Sequence, residues 1–190
     1  MFKLFNIKPA MNEFIFSFFH SPVWNKTPER TMGLEDVYQY VTSGQAEQRT
    51  LRLRSIKDAA EARKYKSRAF DYVTFSGVFN RCSDADMVSH SQLLCLDFDH
   101  VEDVAALRRT LIADSLLATR LLFTSPSGDG VKWVVEIDTR EAPHREWFHS
   151  VSNYLSSRYH LETDVKCANE SRACFLPHDP ECYINMSNNN

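Results

Sequence analysis

From Asp71 onward the hydrophobic pattern of this 190-residue chain changes period several times, and that succession is what most limits its fold. Tyr72-Val73-Thr74-Phe75-Ser76-Gly77-Val78-Phe79 reads as a strand, with Gly77 marking a bulge or a close backbone approach. Ser91 to Asp97 is an apolar strand, and Val104, Leu107 and Leu111 predict a helix within Val101 to Asp114. Leu121 to Thr124 and Val131 to Ile137 are strands joined by a turn, with Val131, Trp133, Val135 and Ile137 on one face. Pro143 opens a helix that runs through about Tyr159 with Trp147, Val151, Tyr154 and Leu155 inward. Arg172 to Leu176 is a last short strand. The order strand-helix-strand-strand-helix-strand predicts an α+β fold with an RRM-like core of the split βαβ, ferredoxin-like kind over residues 71–185.

Residues 1–70 read as an N-terminal helical and strand extension, and 186–190 as a polar tail. Phe14 to Phe19 suggests a buried strand, and Gly33 to Ser43 a helix with Leu34, Val37 and Val41 on one side. Residues 49–68 hold eight bases against Asp58 and Glu61, a local charge of +6 that leaves -9 for the rest of the chain. Such a run is either a solvated helix face or a phosphate-contacting surface. The total of -3 and a pI near 6.2 exclude binding of nucleic acid by overall positive charge, so any such role must be local. No apolar run approaches the roughly 18 residues of a membrane span, and Met1 to Ala10 lacks the core of a signal peptide, which makes the cytoplasm the expected location.

Chemistry concentrates in three places. In Leu94-Cys95-Leu96-Asp97-Phe98-Asp99-His100 strand alternation points Asp97 and Asp99 the same way while Phe98 turns into the core. Two carboxylates side by side at a strand end repel unless a cation lies between them, and hard ions such as Mg²⁺ or Mn²⁺ suit an all-oxygen site. The bland alternative is a strand end with Asp99 or Asp103 capping the next helix. In Ser125-Pro126-Ser127-Gly128-Asp129-Gly130-Val131-Lys132 a hairpin turn could offer backbone N–H groups to a phosphate, with Lys132 as a point charge on the face away from Trp133. Further on, Asp164 could add a third carboxylate and Arg172 could clamp a phosphate. Cys167, Cys174, His178 and Cys182 could in principle close a zinc tetrahedron, but their gaps of six, three and three residues match no common zinc knuckle, and reduced thiols are the expectation.

Taken in order, T-F-S-G-V-F at 74–79, L-D-F-D at 96–99, S-P-S-G-D-G-V-K at 125–132, Asp164, and S-R-A-C-F-L-P-H-D-P at 171–180 resemble the VirE N-terminal domain family of bacterial mobile elements over about residues 65–185. That family is grouped with the archaeo-eukaryotic primase and primase-polymerase superfamily. The resemblance implies an RRM-like catalytic core in which Asp97, Asp99 and Asp164 hold Mg²⁺ or Mn²⁺. It also implies that Ser127, Gly128, Gly130, Lys132 and Arg172 bind the nucleotide. Primases usually carry Ser-x-His in that second motif, and here Lys132 takes the place of the histidine. The implied reaction is two-metal transfer of a nucleotide to a 3′-hydroxyl on a single-stranded DNA template, with nucleoside triphosphates as substrates. The implied partner is a helicase or ATPase, as a separate protein or a module absent from this chain. Rival readings are a catalytically inactive nucleic-acid-binding module and a metal-dependent nuclease or replication initiator. The initiator would need a His-hydrophobe-His pair that His144, His149 and His178 do not form.

Overall fold

A computed structural model describes residues 14–185; the leader reading at Met1 to Ala10 and the polar tail at 186–190 lie outside them. The fold is mixed α+β, with antiparallel sheets and five α-helices among the described residues. The first sheet has the order β2 (Arg30–Met32), β1 (Phe16–Phe19), β3 (Tyr72–Thr74), β9 (Cys174–Phe175). The second has the order β10 (Tyr183–Ile184), β7 (Thr119–Thr124), β8 (Val131–Glu136), β6 (Leu93–Phe98). A two-stranded ribbon pairs β4 (Gly77–Phe79) with β5 (Met87–His90).

The second sheet is covered on both faces, and strand alternation decides what covers each. Leu94, Leu96, Phe98, Leu122, Val131, Trp133 and Val135 pack with α4 (Val104–Ile112) and α5 (His144–Tyr159). Leu93, Leu121, Phe123 and Val134 face the other way, toward β1 and α1 (Leu34–Thr42), in a cluster with Phe16, Phe18, Val37 and Val41. The face-sharing expected of Val131, Trp133, Val135 and Ile137 is therefore observed, as is the helix cap: the Asp103 carboxylate accepts the Ala106 N–H at 2.8 Å and starts α4.

The described part of the 1–70 segment is built into this same core. Phe16, Phe18 and Phe19 are at most 2% exposed. Burying three such rings contributes about 4.5–9 kcal/mol, comparable with the net stability of a whole domain, so β1 is not a removable appendage.

Three features differ from the sequence reading. The strand expected over 72–79 is two strands in different sheets, divided at Phe75 and Ser76, both buried. Gly77 is the close approach expected, because a Cβ there would overlap the Ser89 carbonyl oxygen on β5. The basic run forms two helices, α2 (Glu47–Ser55) and α3 (Ala59–Ala69), because Asp58 caps the second by accepting the Glu61 N–H at 2.7 Å. The last predicted strand joins β3 in the first sheet, whereas β10 closes the second sheet beside β7. Among the described residues no strand pairs with the outer edge of β6; there the N–H of Asp164 donates to the carbonyl of Asp97 at 3.2 Å.

Candidate metal centre

The site begins with register. In the antiparallel β6–β8 ladder Asp97 stands directly opposite Lys132, so the two side chains leave the sheet on one face as a cross-strand pair. Asp97 is 6% exposed and Lys132 9%, and the Lys132 ammonium makes an ion pair with Asp97 Oδ2. Burial works against charge on the lysine, yet the Asp97 carboxylate outweighs it and raises the lysine above its ordinary range. Burial also pushes Asp97 upward, with Lys132 pulling it back and Asp99 adding repulsion. Its other oxygen, Oδ1, is buried without a hydrogen-bond partner. A buried carboxylate oxygen left unpaired is costly, and a cation is the partner such an atom suits.

Phe98 turns into the core at 2% exposure, and Asp99, exposed, follows on the Asp97 side. Asp164 arrives from the far end of α5. Its backbone is fastened to Asp97, its Oδ1 accepts the Lys166 N–H at 3.0 Å, and its Oδ2 accepts from Arg172 Nη2 at 2.7 Å. Asp97, Asp99 and Asp164 each place a carboxylate oxygen within 4.8 Å of the others, and among the described residues they are the only such group of three or more metal-ligating side chains. An all-oxygen set of this size fits a hard divalent cation. The other proposed ligands stay apart: Cys167 lies in one core cluster and Cys174 and Cys182 in the other, while His178 Nδ1 sits at the backbone carbonyl of Ser43, 2.8 Å away.

The second motif is the six-residue hairpin loop between β7 and β8. Gly128 has a positive φ of 90° and its N–H donates to the Ser125 carbonyl at 3.0 Å, so that amide serves the turn. A Cβ at Gly130 would overlap the Phe98 carbonyl oxygen, so this glycine lets the loop close on the end of β6. Ser127 is exposed, with its hydroxyl 3.1 Å from that of Ser125. Arg172 is 38% exposed at its side chain and engaged with Asp164.

Two participants escaped the sequence reading. Arg54, on α2, donates from Nε to the Pro126 carbonyl at 3.2 Å and from Nη2 to that of Ser125 at 3.3 Å, pinning the basic helix to the loop. Lys66, on α3, is lowered from its usual pKa by burial and then by the charge of Lys132, while Asp99, Asp97 and Asp129 oppose the shift. It therefore stands within electrostatic reach of the acids. Only the basic run hinted at either, since their positions depend on how α2 and α3 dock.

Residues 64–184 match the family described as BT4734-like, N-terminal domain. No curated protein and no solved structure matches the chain.

Proposed function

We propose that this chain, which belongs to the BT4734-like N-terminal domain family, is a metal-dependent nucleotidyltransferase of the primase-polymerase type, a reading that rests on the motif resemblance and the three acids rather than on the family match. The observation that carries the reading is the convergence of Asp97, Asp99 and Asp164 around a buried, unpartnered carboxylate oxygen. Strand order supports one part of it: β6 and β7 are parallel with β8 antiparallel between them, as in a single split βαβ unit, and a full RRM-like core remains part of the proposal.

Asp97, Asp99 and Asp164 would hold Mg²⁺ or Mn²⁺, which when bound would lower the pKa of a 3′-hydroxyl and stabilise charge on the departing pyrophosphate. Ser127 and Lys132 would face the triphosphate, Lys66 would add charge from α3, and Arg172, which holds Asp164 in position, would offer charge beside it. Catalysis would rest on positioning and electrostatics, with no side chain acting as a nucleophile. Arg52, Lys57, Arg63, Lys64 and Arg68 are exposed on α2, α3 and the link between them, and form the surface for a single-stranded DNA backbone. Nucleoside triphosphates, a cytoplasmic location and a helicase or ATPase partner complete the proposal.

One observation favours a second reading, a binding module without catalysis: Lys132 and Arg172 already neutralise two of the three acids. Primer synthesis and primer extension on single-stranded DNA with Mg²⁺ or Mn²⁺ separate the two. Product from the wild type and none from Asp97→Asn supports transfer; DNA binding without product in the wild type supports the module.

A further inference from the structure

A carboxylate bridges two metal ions by giving one oxygen to each, and the two-metal scheme expected from the motifs has Asp97 and Asp99 in that role. The register of β6 and β8 removes Asp97 from it. Lys132 stands opposite Asp97 and its ammonium occupies Oδ2, so Asp97 has only Oδ1 to offer an ion. The lysine has no easy exit, since it is 9% exposed and leaving Asp97 would strand a buried charge. Asp164 likewise has a cation, Arg172, on Oδ2, while its Oδ1 accepts only the neutral Lys166 N–H and keeps a lone pair for an ion. The carboxylates carry three negative charges and the two contacting bases return two positive ones. One divalent ion leaves the centre at about +1, whereas a second would have to join an already positive site with Asp99 alone left to bridge it.

We infer that Lys132 is a built-in second cation, and that the nucleotide-free protein takes a single divalent ion, ligated by Asp97 Oδ1, Asp99 and Asp164. The inference rests on the metal-dependent reading above and specifies how that site is filled. It gives the lysine at the motif's histidine position a task a neutral imidazole could not perform: holding half of a metal-bridging carboxylate at fixed charge. Any further metal would enter with the phosphates of a nucleotide rather than on the protein.

The test is a titration of the full chain with Mn²⁺ alone, following free Mn²⁺ by electron paramagnetic resonance and counting only sites lost in Asp99→Asn. Wild type is expected to bind one ion. Lys132→Met, which frees Oδ2, is expected to bind two, and Lys132→Arg, which keeps a cation there, one. Thermal melts followed by circular dichroism show whether each variant is folded. Two ions in the wild type, or a folded Lys132→Met that still binds one, would overturn the inference while leaving metal dependence intact. No ion in the wild type would overturn metal dependence as well. Should Lys132→Met fail to fold, the wild-type count decides alone.

Discussion

At Gly130 a side chain would run into the Phe98 carbonyl, one residue before Asp99, and this contact sets how closely the hairpin loop approaches the acids. Gly130→Ala is expected to cost about 1–3 kcal/mol as an overpacked contact, measured as a lower urea midpoint. Asp97 and Asp99 separate in the same measurement. Asp97→Ala strands the buried Lys132 ammonium and is expected to destabilise by about 3–5 kcal/mol. Asp99→Asn alters an exposed side chain and should stay within about 0.5 kcal/mol. Equal losses in the two variants would contradict the buried ion pair. Asp97 and Asp99 were legible in the sequence because a pair of acids flanking one apolar residue at the end of an apolar strand is more than a helix cap requires. The partnership of Asp97 with Lys132 was not, because a cross-strand neighbour is a property of register, and register is fixed only once β6 and β8 pair.

Elements carry a pH response of their own. His90, on β5, and His144, in the first turn of α5, meet at 3.1 Å between Nε2 and Nδ1. The Gln92 N–H donates to His90 Nδ1 at 2.9 Å, so Nε2 carries the His90 proton and donates it to His144. Burial, then the neighbouring His144, pushes His90 down to about 4; burial lowers His144 as well. In the unfolded chain both titrate near 6.5. Between those values the unfolded state binds more protons, so the stability from keeping the pair neutral is present above about 6.5 and drains away as pH falls toward 4. The urea midpoint should therefore drop from pH 7 to pH 5, and His90→Gln should flatten that drop; an unchanged slope would contradict the neutral pair. Helices α1, α4 and α5 were legible because their apolar spacing and the Asp103 cap are local. The break between β3 and β4 was not, since Phe75 and Ser76 are buried and the strand-like pattern of 72–79 runs straight through the turn. The two-residue β10 has no pattern to read.

For the whole molecule, the shared core explains how a basic N-terminal segment comes to serve an acidic centre. Sequence alone separated a +6 segment from a -9 remainder but could not bring them together. Arg49 is spent inside the fold, donating to the Ala69 carbonyl at 3.1 Å and the Tyr40 hydroxyl at 2.7 Å, and Arg54 is spent on the hairpin loop. The exposed bases that remain number five on or between α2 and α3. If each meets one phosphate, the logarithm of single-stranded DNA affinity should fall with the logarithm of salt at a slope of about -3.5. Replacing Arg63 and Lys64 by Gln should remove about 1.4 of that slope; an unchanged slope would move the DNA surface elsewhere. Everything proposed for the molecule depends on the three acids forming a metal-dependent transfer site, and Asp99→Asn probes that site while leaving the fold intact. The measurement is incorporation of one labelled nucleotide onto a primed single-stranded template in Mn²⁺, by wild type and by Asp99→Asn shown to have the same melting temperature. Product is expected from the wild type, none after chelation and at least a hundredfold less from the variant, roughly 2.7 kcal/mol of transition-state stabilisation. Equal incorporation by the two proteins, or none by the wild type, would contradict a metal-dependent transfer site.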